Sequence, residues 1–304
     1  MKVILTGATG AIGLSLIEDL LSRSYEVLVL ASPRSPRNNW LSCMTSSNLR
    51  WQECALMDYE SFNLSERFDA MVHMAWEGGM DRWNIDLNIA SARQCAMAVR
   101  LAARVGCKTF LGIGSQAECG PQVAPLTSET LCKPQTPFGA AKNLALNLVR
   151  IEAAQIPEMR FMWARILSVY GPRDRESAMI TASLRKLIQG ELPKFSSGEQ
   201  IWDFLYVDDA ARGLANMLER GHNGQIYVLG SGDSRPLRDY LEYVVRPFGV
   251  DLAKCLGKVN VALTSPSKLE ADITTMYEHL GWFPTVDFQT GISRTIEYCK
   301  KSKP

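Results

Sequence analysis

The chain has 304 residues, 46% of them hydrophobic and 21% charged, with a formal net charge of +1. That length buries a large core in one big domain or two, and the near-neutral charge excludes an electrostatic binder of nucleic acid or membrane. No apolar run is long enough to span a bilayer, and the eight cysteines are scattered without a CxxC or a Cys/His cluster, so no metal site is expected and reduced thiols in a cytoplasm fit best.

Lys2 to Leu5 reads as a short buried strand. It runs into Gly7, Gly10 and Gly13, and then into Leu14, Leu16, Ile17, Leu20 and Leu21, whose spacing gives a helix one apolar face. Strand, glycine-rich turn and helix are the context of a dinucleotide-binding turn. Gly7 takes the tight turn, Gly10 lets the backbone approach a pyrophosphate, and Gly13 lets the helix pack close to the strand. The free N–H groups and positive end of the helix face the phosphates. The plain alternative is a tight turn with no ligand.

Glu26 to Ala31 is the second strand. In an NAD site an acidic residue after this strand holds the ribose 2′-OH, yet no Asp or Glu occurs between Val27 and Gln52. Ser32, Arg34 and Arg37 stand there instead, and a guanidinium attracts the 2′-phosphate that a carboxylate repels. NADP(H) is therefore expected over NAD(H). Leu49 to Leu56 reads as the third strand, followed by Asp58, a partner for an adenine amino group or a loop cap. Phe68 to Ala75 is the fourth strand and its end, and Trp76-Glu-Gly-Gly79 a turn at the carboxyl edge of the sheet. Ile85 to Val105 is a long helix. Phe110 to Ile113, the fifth strand, leads into Gly114-Ser-Gln-Ala-Glu-Cys-Gly120. Ligands of such sheets sit outside the carboxyl ends of the strands, so the segments after residues 5, 31, 56, 75 and 113 converge on one cleft, which singles out Ser115 and Gln116.

Pro134 to Asn143 opens a helix running through Ile151, with Phe138 and Lys142 on one face. Phe161 to Leu167 is the sixth strand, ending in the turn Val169-Tyr-Gly-Pro-Arg173. Ala178 to Gln189 is a helix. Gln200 to Ala210 is a strand meeting a helix, with Asp208 or Asp209 as N-cap. Ile226 to Leu229 is a short strand. The chain closes with Leu280-Gly-Trp-Phe-Pro284 and an amphipathic helix from Thr290 to about Cys299.

Together these residues resemble the extended short-chain dehydrogenase/reductase family: the sugar-nucleotide epimerases, dehydratases and 4-ketoreductases. The resemblance spans nearly the whole chain. It rests on Thr6-Gly-Ala-Thr-Gly-Ala-Ile-Gly13, Asp58, His73-Met-Ala75, Asn88, the Gly114–Gly120 segment, the Phe138/Lys142 pair, Val169-Tyr-Gly-Pro172, Asp203-Phe-Leu-Tyr-Val-Asp-Asp209 and Leu280-Gly-Trp282. It implies an α/β fold, a Rossmann-type doubly wound parallel sheet with a smaller C-terminal α/β substrate domain. Residues 1–170, with a return near 203–230, would bind the dinucleotide, and residues 171–304 a nucleoside-diphosphate sugar. The implied cofactor set is Gly7, Thr9, Gly10, Ala11, Ile12, Gly13, Ser32, Arg34, Arg37, Asp58, Met74, Ala75, Lys142 and Ile166. Trp76, Glu77, Ser115, Gln116, Val169 and Arg173 would meet the substrate, with Arg173 a candidate diphosphate clamp or simply a surface residue. A homodimer through the helices Ile85–Val105 and Gly139–Ala154 is also implied.

One departure matters more than the matches. The family's catalytic motif is Tyr-x-x-x-Lys, in which tyrosine exchanges a proton with the sugar oxygen, lysine holds the nicotinamide ribose, and a Ser or Thr bonds the sugar oxygen. Lys142 and Ser115 match the last two roles, but Phe138 stands at the tyrosine position and has no hydroxyl to act as acid or base. Positioned acids and bases contribute about 10²–10⁴-fold. Three readings stay open: an engineered Tyr→Phe change, a natural variant using another donor such as Ser115, Cys119 or a water, and a non-catalytic NADP(H) sensor. The resembling 4,6-dehydratases carry Asp and Glu after the catalytic Ser/Thr, where Gln116 and Ala117 stand here, which argues against dehydration. The resembling 3,5-epimerase/reductases use paired donors and acceptors, often Cys and His, but His73 lies at a strand end, His222 and His279 fall in distal or surface-like segments, and Cys107 looks like core. The expectation is an NADPH-dependent reductase of a nucleoside-diphosphate 4-keto-6-deoxy sugar, with 4-epimerisation through a transient ketone as the alternative.

Overall fold

The structure, a computed structural model, describes residues 1–77, 81–260 and 266–302. In chain order the first half comprises β1 (Lys2–Thr6), α1 (Ala11–Ser22), β2 (Glu26–Ala31), α2 (Asn38–Ser42), β3 (Leu49–Glu53), β4 (Ala70–His73), α3 (Ile85–Arg104), β5 (Thr109–Ser115) and α4 (Pro137–Ala154). The second half comprises β6 (Arg160–Ile166), β7 (Ser168–Tyr170), α5 (Met179–Ile188), β8 (Ile201–Tyr206), α6 (Val207–Arg220), β9 (Ile226–Leu229), β10 (Ser234–Pro236), α7 (Leu237–Val245), α8 (Thr274–Leu280) and α9 (Phe288–Lys301).

Seven strands form one sheet in the order β3-β2-β1-β4-β5-β6-β9, and every pair in it is parallel. A parallel sheet is covered on both faces, so its strands read as continuous apolar runs; Val3, Ile4 and Leu5 are fully buried. α1 and α6 cover one face, where Leu16, Ile17 and Leu20 meet Leu214 and Leu218. α3 and α4 cover the other, where Val99 and Leu101 meet Ala145 and Val149. Strand order reverses between β1 and β4, which puts a crevice at the carboxyl ends of those two strands. Three short strands, in the order β10-β8-β7, form a second sheet. It packs with α5, α7 and α9 around Tyr170, Phe204, Tyr240 and Phe288, the last two rings 4.6 Å apart.

Several boundaries differ from those the sequence suggests. β5 runs two residues further, through Ser115, because it pairs with β6 in register up to Ser115 and Ile166. α4 starts at Pro137 rather than Pro134, because Thr136 Oγ1 accepts the Gly139 N–H at 3.1 Å and proline occupies the first turn. Neither Asp208 nor Asp209 caps α6, which leaves β8 directly with Tyr206 at its N-cap. Asp209 is buried and accepts the Thr285 and Val286 N–H groups at 3.0 and 2.9 Å, while Asp208 accepts the Ser15 hydroxyl at 3.3 Å. β3 ends at Glu53 and gives way to a short 3-10 turn over Leu56–Asp58. Gly78 and Gly79, the second half of the expected turn after β4, lie outside the described residues.

Candidate active site

The crevice begins at the glycine-rich turn. Gly7 has φ +69°, and a Cβ there would sit 2.5 Å from the Ala75 nitrogen, so this turn admits only glycine. Gly10 is the N-cap of α1, and no side chain satisfies the helix's first N–H groups. A Cβ at Gly10 would meet nothing nearer than the Gly7 carbonyl oxygen at 4.0 Å. The protein itself leaves that space open above free helix N–H groups, beside Ala11 and Ile12, as an anion such as a pyrophosphate requires. The residues present therefore fit a dinucleotide.

A cavity of about 240 Å³ adjoins the turn, lined by Gly7, Thr9, Leu30, Ala31, Ser32, Cys54, Leu56, Tyr59, Met74, Ala75, Trp76 and Glu77. Of the cofactor residues expected from sequence, Gly7, Thr9, Ser32, Met74 and Ala75 meet on this wall. Leu30, Cys54, Leu56 and Tyr59 were not foreseen; all four sit at or just beyond the carboxyl ends of β2 and β3. Asp58 is exposed and is not among the lining residues. Thr9 Oγ1 and Ser35 Oγ are 3.0 Å apart, tying the glycine turn to the loop after β2. Arg34 in that loop is exposed, and Arg37 stacks over Trp40 at 5.5 Å while donating to the Arg173 carbonyl at 3.4 Å.

The other end of the crevice is built from side chains. Ser115 ends β5, and its Oγ accepts the Ala117 N–H at 3.2 Å. Its own N–H donates to Glu118 Oε1 at 2.7 Å, closing a capping box over the turn 116–118. Glu118 is fully buried and also accepts from Trp163 Nε1 at 3.1 Å and Arg165 Nε at 3.2 Å. Burial pushes its carboxyl pKa up, against the pull of the Arg165 guanidinium. Glu118, Trp163 and Arg165 are thus the buried frame beneath Ser115.

α4 packs directly on this turn: a Cβ at Gly139 would lie 2.2 Å from the Ala117 carbonyl oxygen. That approach brings in Phe138 and Lys142. Lys142 is buried, donates to the Ile113 carbonyl at 2.8 Å and lies 3.8 Å from the centre of the Trp76 ring. Burial lowers its pKa. Phe138 meets the edge of Trp76 at 5.9 Å, and the Arg82 guanidinium stands 5.3 Å from its ring. Trp76 is held in turn by the buried Asn88, whose Oδ1 accepts from the indole at 2.9 Å. Glu77 is exposed, its N–H bonded to Ser91 Oγ at 3.1 Å. Ile166 is buried beside Ser115, while Gln116 and Val169 are half-buried. Trp202 donates to Ser168 Oγ at 2.9 Å next to Val169. Arg173 is engaged elsewhere: its guanidinium bonds Glu18 of α1 at 2.6 Å.

Comparison with known proteins gives the family and the fold. The family model described as the NAD dependent epimerase/dehydratase family matches residues 3–230. The dTDP-6-deoxy-L-talose 4-dehydrogenase (NAD(+)) of Aggregatibacter actinomycetemcomitans is 25% identical, covering 80% of this chain and 88% of its own. The dTDP-glucose 4,6-dehydratase of Escherichia coli is 24% identical, covering 100% and 94% respectively. Among solved structures, a tyrosine-to-phenylalanine mutant of UDP-glucuronic acid 4-epimerase from Bacillus cereus, in complex with UDP-4-deoxy-4-fluoro-glucuronic acid and NAD, shares the fold with a TM-score of 0.88 at 22% identity over 99% of each chain. A Rossmann-type sheet with an open helix N-terminus at its switch point, and a family match over three quarters of the sequence, lead to one conclusion: this chain belongs to the NAD dependent epimerase/dehydratase family.

Proposed function

We propose that the protein is an NADPH-dependent reductase of a nucleoside-diphosphate 4-keto-6-deoxy sugar, in a Tyr→Phe form at position 138. The observation that carries this reading is the packing of α4 on the turn after Ser115, which gathers Ser115, Phe138 and Lys142, while Gln116 and Ala117 supply no acid or base for removing water. Ser32, Arg34 and Arg37 after β2, with no carboxylate among them, support NADP(H) over the NAD named for the relatives.

The nicotinamide cofactor, when bound, supplies the hydride. Ser115 hydroxyl donates to the sugar oxygen. Lys142 spends one N–H on Ile113 and keeps two for the cofactor's ribose. Trp76 and Phe138 wall the reacting carbon from water. Phe138 fills the position of the proton donor without providing a proton, which sets the rate low. Measuring NADPH oxidation by Phe138→Tyr with a nucleotide-linked 4-keto sugar tests the reading, with an expected gain of about 10²–10⁴-fold over the parent. Interconversion of two sugar epimers without net NADPH loss overturns it in favour of the 4-epimerase reading, which the epimerase fold relative supports. No turnover by either form, with NADP(H) still bound, points to a sensor.

Residues 1–170, with a return near 203–230, bind the dinucleotide on this reading, and 171–304 the sugar nucleotide. Among the described residues no helix is long and apolar enough to cross a membrane; we place the protein in the cytoplasm. The exposed Ile85 and Ile89 on α3 and Leu144 and Ile151 on α4 give two neighbouring helices an apolar outer face. A second copy covers that face in a homodimer, and a monomeric sedimentation profile would count against it.

A further inference from the structure

We infer that Cys119 and Cys132 form a reversible disulfide, a modification site that clamps the turn after Ser115 to the segment leading into α4. The inference assumes nothing about the substrate. Both cysteines are free, with their sulfurs 3.2 Å apart. Their backbones already run side by side: the Lys133 N–H donates to the Cys119 carbonyl at 3.0 Å, and Gln122 Nε2 donates to the Cys119 carbonyl at 2.7 Å and the Leu131 carbonyl at 3.4 Å. A bond of about 2.05 Å needs the sulfurs to close by roughly 1 Å, within reach of side-chain rotation.

The two thiols have different surroundings, which gives them different roles. Cys119 is fully buried in an apolar cluster with Leu126, Leu167 and Leu269. Cys132 is half-exposed, and Arg165 Nη2 lies 3.4 Å from its sulfur. Hydrogen bonding from the Cys119 thiol, helped by the Arg165 charge, lowers the Cys132 thiol to about 7, while the same bond and burial push Cys119 up. Cys132 is therefore the attacking thiolate and Cys119 the resolving thiol.

With a low-molecular-weight disulfide such as oxidised glutathione, the Cys132 thiolate attacks one sulfur. A Cys132–glutathione bond forms and one glutathione thiolate leaves. The Cys119 sulfur then attacks Cys132 Sγ, forming the Cys119–Cys132 bond and expelling the second glutathione thiolate. The two protein thiols lose two electrons, the reagent gains them, and the two thiol protons end on the two glutathiones.

The test is to equilibrate the full-length chain with oxidised glutathione, quench with N-ethylmaleimide in denaturant, digest it and map the peptides by mass. A cross-linked Cys119–Cys132 peptide is expected, lost on return to dithiothreitol, with Cys95 and Cys107 remaining maleimide-labelled. Cys119→Ser is expected to stop at a Cys132–glutathione mixed disulfide, and Cys132→Ser to leave Cys119 a free thiol; circular dichroism checks that both variants fold. Maleimide on both Cys119 and Cys132 of the oxidised parent overturns the proposal. So does glutathione on Cys43 but not on Cys132 in Cys119→Ser.

Discussion

At the entrance of α1 the crevice is made of backbone; at Ser115 and Lys142, more than a hundred residues further along the chain, it is made of side chains. The first end depends on Gly7 and Gly10, where what matters is the atom that is missing. The second depends on Ser115, held by Glu118 with Trp163 and Arg165 behind it, and on Lys142, held by the Ile113 carbonyl, where what matters is a buried charge meeting its partner. The two ends fail differently. A side chain added at the backbone end forces the main chain to move, whereas a side chain removed at the other end strands a charge in the core.

The stranded charge gives the largest expected effect. Arg165→Met leaves the Glu118 carboxylate buried with only the Ser115 N–H and the Trp163 indole as donors. A loss of about 3–5 kcal/mol is expected in urea unfolding, most of it recovered on adding Glu118→Gln. A loss below about 1 kcal/mol, the range of a screened surface pair, would show that Glu118 is already protonated in the fold, the direction in which burial pushes it.

At the backbone end, a pair of substitutions separates strain from ligand clash. Gly7→Ala combines a positive φ with a Cβ 2.5 Å from the Ala75 nitrogen. It is expected to cost about 3 kcal/mol of stability and to abolish cofactor binding. Gly10→Ala meets no protein atom closer than 4.0 Å, so its melting temperature stays near the parent's. Its affinity for NADP falls about tenfold or more, a loss of at least 1.4 kcal/mol. Equal destabilisation by the two, or unchanged affinity in Gly10→Ala, would remove the distinction between the ends.

The same contrast explains what could be read from the sequence. A backbone constraint that one residue type satisfies leaves a mark at each position, so the β1–turn–α1 unit is legible from its glycines set between an apolar run and an amphipathic one. The shared face of Phe138 and Lys142 followed from their spacing on one helix. The frame under Ser115 left no local mark, because Trp163 and Arg165 reach Glu118 from a strand 45 and 47 residues away. One signal existed: an arginine inside the apolar run Phe161 to Leu167 needs a buried partner. The ion pair of Arg173 is equally illegible locally, its partner Glu18 lying 155 residues earlier. The start of α4 is written in Thr136-Pro137, a cap followed by a proline, three residues after the Pro134 at which the sequence reading opens the helix.

The smallest predicted effect concerns a buried carboxylate that lacks any countercharge at bonding distance among the described residues. Asp203 is fully buried and accepts the Ser231 and Gly232 N–H groups at 2.7 and 2.9 Å. Burial outweighs those donors and raises its pKa to about 6, from 3.8. The folded chain thus holds this proton more tightly than the unfolded chain does. The stability contributed by the protonated form is complete at low pH and is lost as pH rises through 6. On this account the parent's stability relative to Asp203→Asn improves by about 1 kcal/mol between pH 7 and pH 5, a shift of a few degrees in melting temperature. The ion-paired Glu118 is common to both proteins and cancels in the comparison. If the parent loses stability relative to Asp203→Asn on acidification instead, the N–H donors dominate burial at Asp203, and backbone dipoles do there what Arg165 does for Glu118.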